Sequence, residues 1–361
     1  MNANNTETVN PADAGALNAP VAPAAEALVA KDGGTVQCQA CAHQCRLKPG
    51  RAGICRVRFN QNGQLYAPDG YVAGLQADPI EKKPFYHVVP GSNALSFGML
   101  GCNFQCDFCQ NWISSQMPYA EKQASGISRC SAADIVDTAI ERHASVIVST
   151  YNEPLITADW AARIFEKAKT KNLLCGFVSN GFASPAVLDF LRPMTDLFKV
   201  DLKCFTDSGY RSLGGRLQPV LDTIENLFAS GVWVEVVTLV VPGFNDSESE
   251  LTGIATFLSG ISPDIPWHVT AFYPTYKRND ATPTTVTHLE RAWNAGKEAG
   301  LRYVYAGNMA GRVADRENTY CPQCNALLVT RRGFHITECR ITAGKCPECQ
   351  AVIPGRWHIN S

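Results

Sequence analysis

No run of apolar residues in this 361-residue chain approaches the ~20 needed to span a bilayer, which excludes a membrane-crossing helix. The first thirty residues lack the basic start and apolar stretch of a secretory signal, so the expected location is the cytoplasm. An excess of basic charge is missing too. Lys and Arg number 32 against 33 Asp and Glu, a formal charge of −1, which leaves no long-range positive field for a nucleic-acid backbone or an anionic membrane. Neither is expected as a partner. No GxGxxG follows the first predicted strand, which argues against a dinucleotide fold. What the chain does have is a 45% hydrophobic share, enough to fill a large core, and fifteen cysteines. In a reducing compartment so many thiols point to metal ligation rather than to disulfides.

Composition divides the chain into four stretches. Residues 1–34 are rich in Ala, Pro and Asn with few large apolar groups, and read as a disordered tail. Residues 35–90 form a loop-rich segment with four cysteines, too short for a core of its own, which needs a metal or a neighbour. From 91 to 310, β-rich runs at 94–99, 145–150, 173–178, 196–202, 231–240 and 267–272, with 301–305 as a possible seventh, alternate with amphipathic segments at 131–143, 157–171, 184–191, 219–229, 246–258 and 286–299. Ser131 followed by Asp134 marks a helix start. Such alternation predicts an α/β fold with parallel strands, either a barrel or a doubly wound sheet. A cysteine loop after the first strand favours the barrel. Residues 311–361 carry a further cysteine group and read as a small metal module.

The segment GMLGCNFQCDFCQNW places Cys102, Cys106 and Cys109 in a CxxxCxxC spacing. Three thiolates on one loop can hold three irons of a [4Fe–4S] cube. A fully ligated cube takes four cysteines, so one iron is left open, and an open metal position is where substrate binds. Gly101 permits a tight turn and Phe108 can shield the cluster from water. Zinc sites favour pairs of CxxC and fit this loop less well.

This loop resembles the signature of the radical S-adenosylmethionine superfamily. PIEKKPFYHVVPG, TYNEP at 150–154, SNG at 179–181, DLK at 201–203, PWHVTAFYP at 266–274 and YVYAGN at 303–308 resemble the radical enzyme of the AmmeMemoRadiSam system, a branch similar to the activating enzymes of pyruvate formate-lyase. The resemblance runs from Cys38 to Trp357 and implies a partial (β/α)6 TIM-like barrel with small Cys-rich metal-binding modules at both ends. It implies that S-adenosylmethionine chelates the open iron and is cleaved reductively to methionine and a 5′-deoxyadenosyl radical, which takes hydrogen from a protein or small molecule. A flavodoxin- or ferredoxin-type donor would supply the electron. Asn152 and Glu153 stand where the family meets the methionine amino group, Ser179 and Asn180 at its ribose or carboxylate contacts. Asp201 and Lys203 lie on one face of a strand end, and His268 resembles a ribose-contacting histidine. A turn, a ligand-free ion pair and a core histidine are the corresponding structural alternatives.

Cys321, Cys324, Cys346 and Cys349 form two CxxC knuckles separated by twenty-one residues, a pattern for a structural tetrathiolate site, most simply Zn²⁺, with rubredoxin-like iron as its rival. Cys38, Cys41, Cys45 and Cys55 could hold zinc or an auxiliary iron–sulfur cluster, with His43 a possible substitute ligand. Cys130, Cys175, Cys204 and Cys339 read as structural. Two further functions compete with the leading one: a glycyl-radical activase acting on a protein, and a non-enzymatic scaffold with zinc at every cysteine group.

Overall fold

The computed structural model describes residues 19–116 and 126–358. Its centre is one sheet whose strands follow chain order: β1 (Gly74–Pro79), β2 (Asn93–Gly98), β3 (Ala144–Ser149), β4 (Leu174–Ser179), β5 (Leu197–Asp201), β6 (Trp233–Val240), β7 (Trp267–Ala271) and β8 (Val304–Gly307). Strands β2 to β8 are parallel, and β1 pairs antiparallel with β2. Parallel neighbours need long crossovers. These are α1 (Ala132–Glu141), α2 (Ala158–Lys169), α3 (Pro185–Leu191), α4 (Gln218–Ala229), α5 (Glu248–Ile261) and α6 (Val286–Glu298). Ser131 and Asp134 close a reciprocal cap at the start of α1, as their spacing predicts.

The sheet is open, with β1 and β8 at opposite edges. Its seven parallel strands exceed the six that the resemblance implies. The seventh is short and was marginal in sequence; the antiparallel edge β1, whose Gln76 and Ala77 are exposed, carries no β-rich apolar run to betray it. A short helix at Asp207–Ser212 also lies outside the predicted elements.

Alternation sorts the side chains. Leu95, Phe97, Ile147, Cys175, Phe177, Phe198 and Val200 face the helices in the main core, whereas Ala94, Val146, Val148, Leu174 and Leu197 face inward and pack on Ile80, Phe85, Val88 and Val89. The segment between β1 and β2 therefore fills one end of the sheet's concave side. Glu235 of β6 holds it, accepting from the backbone N–H groups of Tyr86 and His87 at 2.9 Å each. At the opposite rim, a Cβ on Gly98 would lie 2.5 Å from the carbonyl oxygen of Thr150, so Gly98→Ala should destabilise the fold by about 1–3 kcal/mol, measured as a lowered denaturation midpoint.

Part of the expected tail is structured. Val21–Pro23 pairs with Gln64–Pro68, and Val29–Asp32 pairs with Thr35–Cys38, burying Ala24 and Leu28. Ala25 N–H also donates to Asp159 Oδ1 of α2 at 2.7 Å. Composition underrated this stretch because its burial comes from distant partners. Residues 1–18 of that expected tail lie outside the described residues. Near the C-terminus, Thr319–Tyr320, Leu327–Arg332 and His335–Cys339 form a three-stranded antiparallel sheet. Among the described residues no helix is long and apolar enough to cross a membrane.

Candidate active site

The loops after the C-terminal ends of the strands surround a cavity of about 420 Å³, within the range of cofactor sites. Cys102, Cys106 and Cys109 all line it, from the loop after β2. That loop turns at Gly101, whose φ is +97° and whose absent Cβ would press on Val57 Cγ1 at 2.8 Å, so only glycine suits the position. Cys102 Sγ accepts from Phe104 N–H at 3.3 Å, and Cys109 Sγ stands 3.2 Å from Ser115 Oγ. Burial pushes the Cys106 thiol up to about 12, although Lys203 opposes it.

Cys321, Cys324, Cys346 and Cys349 gather their four sulfurs within 4.8 Å of one another; the cysteine loop contributes three to the cavity wall. One ion at Zn–S ≈ 2.3 Å requires tightly grouped ligands. A cube binds each thiolate at a different iron and separates them. The donor set, three cysteines of one loop facing the cavity, fits a [4Fe–4S] cluster with one iron left open.

Two features around the loop escaped sequence reasoning. Arg278 Nε donates to Asp107 Oδ2 at 2.8 Å, and its guanidinium lies 5.6 Å from the Phe108 ring centre. Trp112 stacks on Tyr276 at 5.3 Å. The loop after β7 therefore covers the cysteine loop. Its aromatic and basic residues, YPTYKR, were the available signal.

All the predicted cofactor residues line the same cavity, though most also serve the protein itself. Asn152 Oδ1 accepts from Met99 N–H at 3.0 Å, fastening the end of β2. Glu153 accepts from Leu155 N–H at 3.0 Å, Ser179 Oγ at 2.7 Å and Asn180 N–H at 2.8 Å. Burial outweighs those donors and the Lys203 ammonium and lifts the Glu153 carboxyl to about 7, so a further ammonium beside it would favour the ionised form. Asn180 Nδ2 donates to Asn103 Oδ1 at 2.7 Å, joining the third loop to the cysteine loop.

Asp201 and Lys203 share a face, as alternation requires, and their charges meet at 3.4 Å. Lys199 is on that face too and pairs with Asp201. Burial acts against the Asp201 charge, but the two lysines hold its carboxyl below the usual range. Lys199 was missed because the sequence argument stopped at the strand end. His268 Nε2 donates to Glu235 Oε2 at 2.6 Å, and its ring meets Tyr86 edge-on at 4.7 Å. Glu235 had gone unnoticed inside GVWVEVVTLV, where a lone carboxylate in an apolar strand was the signal.

Residues 98–253 match the family model described as the radical SAM superfamily. An uncharacterized protein of Methanocaldococcus jannaschii is 36% identical over 322 residues, covering 88% of this chain and 95% of that one. The chain belongs to the radical SAM superfamily. Members of this superfamily carry a [4Fe–4S] cluster and use S-adenosylmethionine. The benzylsuccinate synthase activating enzyme of Thauera aromatica is 29% identical over 108 residues, 29% of this chain and 33% of that enzyme. Among solved structures, a radical SAM methyltransferase from Sphaerobacter thermophilus overlaps 86% of this chain and 81% of its own at 15% identity, with a TM-score of 0.45.

Proposed function

We propose that this chain is an enzyme that holds a [4Fe–4S] cluster on Cys102, Cys106 and Cys109 and uses it to cleave S-adenosylmethionine. The observation that carries the reading is a trio of cysteines from one loop on one wall of the cavity, with no fourth cysteine in its lining. When bound, the cluster would supply one electron to break the S–C5′ bond, giving methionine and a 5′-deoxyadenosyl radical that takes hydrogen from a substrate. The chain's own residues orient and enclose. Glu153 and Asn152 present polar groups toward a methionine amino group, Asp201 and Lys203 toward ribose and carboxylate, and Ser179, Asn180 and His268 complete the polar lining. Phe108, Arg278 and the stacked Trp112 and Tyr276 keep water from the cysteine loop.

The quoted motifs favour the AmmeMemoRadiSam branch. The partial likeness to an activating enzyme supports a protein substrate as the second reading. A flavodoxin- or ferredoxin-type donor in the cytoplasm is the matching source of electrons. At the C-terminal knuckle, sulfur separations of 3.6 Å and 3.7 Å agree with the edge of a tetrahedron at Zn–S ≈ 2.3 Å, about 3.8 Å, and we assign that site to zinc.

The test is anaerobic loading with iron and sulfide, reduction with dithionite, and mass-spectrometric measurement of 5′-deoxyadenosine after adding S-adenosylmethionine. Product in equal amount to methionine is expected. Iron-loaded, reduced protein that leaves the cofactor whole would overturn the reading.

A further inference from the structure

Cys38, Cys41, Cys45 and Cys55 converge on one small cavity shared with Arg58 and Ile156. The turn that gathers them is closed by Cys38 N–H donating to Cys45 O at 3.0 Å and by Gln44 N–H donating to Cys41 O at 3.0 Å. Three of the four cysteines are buried. The C-terminal quartet gathers its sulfurs within 4.8 Å of one another, whereas the N-terminal four surround a cavity that also admits Arg58 and His43 to its wall.

Arg58 is the second observation. Its side chain is 1% exposed, and Nη1 serves Asp159 and the carbonyl oxygen of Ile156. Its Nε and Nη2 have no hydrogen-bond partner among the described residues. Two such N–H groups at a buried cysteine cavity are costly unless an acceptor occupies it. Sulfide and thiolate sulfur are acceptors of that kind, and a cube ligated by four thiolates carries net negative charge for the guanidinium to offset.

We propose that these four cysteines hold a second [4Fe–4S] cluster, with Arg58 donating hydrogen bonds to its sulfurs. The site adjoins the first cysteine loop. The Cys55 carbonyl oxygen lies 3.3 Å from where a Cβ of Gly101 would stand, and His43 Nε2 is 3.0 Å from the carbonyl oxygen of Asn103. His43 is thereby engaged with the neighbouring loop through one of its two ring nitrogens while it lines the cysteine cavity.

The experiment uses the full chain carrying Cys102→Ala, Cys106→Ala and Cys109→Ala, loaded anaerobically with iron and sulfide. About four irons and four acid-labile sulfides should remain bound, with an electron-paramagnetic signal of a reduced cube. Adding Cys45→Ser, at the least buried of the four ligands, should remove both. Zinc without sulfide in the triple variant, or no metal there, overturns the proposal. Iron in the triple variant says nothing for the radical centre, and wild-type protein that makes 5′-deoxyadenosine with only one cube would sink this inference alone. Arg58→Lys should move the remaining cluster to a more negative potential, because hydrogen bonds to the sulfurs raise it; an unchanged potential removes Arg58 from its role.

Discussion

Replacing Cys102, Cys106 and Cys109 together by Ala should leave no 5′-deoxyadenosine above the protein-free background, while the chain keeps its fold. The first half follows from the arrangement of thiolates: they are the cysteines facing the cavity at the end of β2, and a cube cannot be held by the loop without them. The second half follows from packing. Without metal the Cys106 thiol is buried and raised to about 12, so it is neutral and behaves as a small apolar group. Exchange for alanine removes little more than one sulfur's contacts at each position. Circular dichroism and a melting curve close to that of the metal-free wild type would separate lost chemistry from lost structure. Residual product in this variant would mean that the electron reaches the cofactor from elsewhere.

Glu235→Ala should cost about 3–5 kcal/mol of stability, the largest single loss we expect on the inner face of the sheet. The carboxylate is fully buried and receives Tyr86 N–H, His87 N–H, Trp233 Nε1–H and His268 Nε2–H. Truncation leaves all of these donors facing a void, which costs more than the bonds themselves stabilise. Burial alone would raise the Glu235 pKa, but His268, His87 and Trp233 outweigh it and hold the carboxyl down at about 2. The sign of the pH dependence follows. A depressed carboxylate contributes its full stability above the unfolded value of about 4.5 and loses it as pH falls toward 2. Urea midpoints measured from pH 6 to pH 2.5 should therefore fall less steeply in Glu235→Ala than in the wild type. Parallel curves would remove Glu235 from this part.

The cysteine loop and the strand order were readable because each rests on local spacing. Three thiols at fixed intervals and apolar runs that alternate with helical ones need no knowledge of the fold. Glu235 and Lys199 were not readable, since their meaning depends on what faces them. The donors that hold Glu235 come from Tyr86 and His87, far away in sequence, and the partner of Lys199 is claimed only once β5 is known to point its alternate residues into the concave side. The same limit hid the strands at 21–32. Sequence placed Asn152, Glu153, Ser179, Asn180, Asp201, Lys203 and His268 around one cavity, but not the bonds that several of them make within the protein.

The stretch from Tyr86 to Val89 is gripped from two sides. Glu235 takes its N–H groups from the sheet, while Arg331 Nη2 donates to the Tyr86 carbonyl at 2.7 Å and Arg356 exchanges backbone bonds with His87 and Val89 at 2.7 Å and 2.8 Å. His87 Nδ1 adds a bond to the carbonyl oxygen of Pro354 at 2.7 Å. The C-terminal segment that carries the four-cysteine knuckle is consequently a cork for one end of the open sheet's concave side, seated on the same peptide whose Tyr86 lines the cavity. Chelating the zinc proposed for Cys321, Cys324, Cys346 and Cys349 would loosen this wall from the far end, so that an event remote from the cysteine loop would be felt in the cavity.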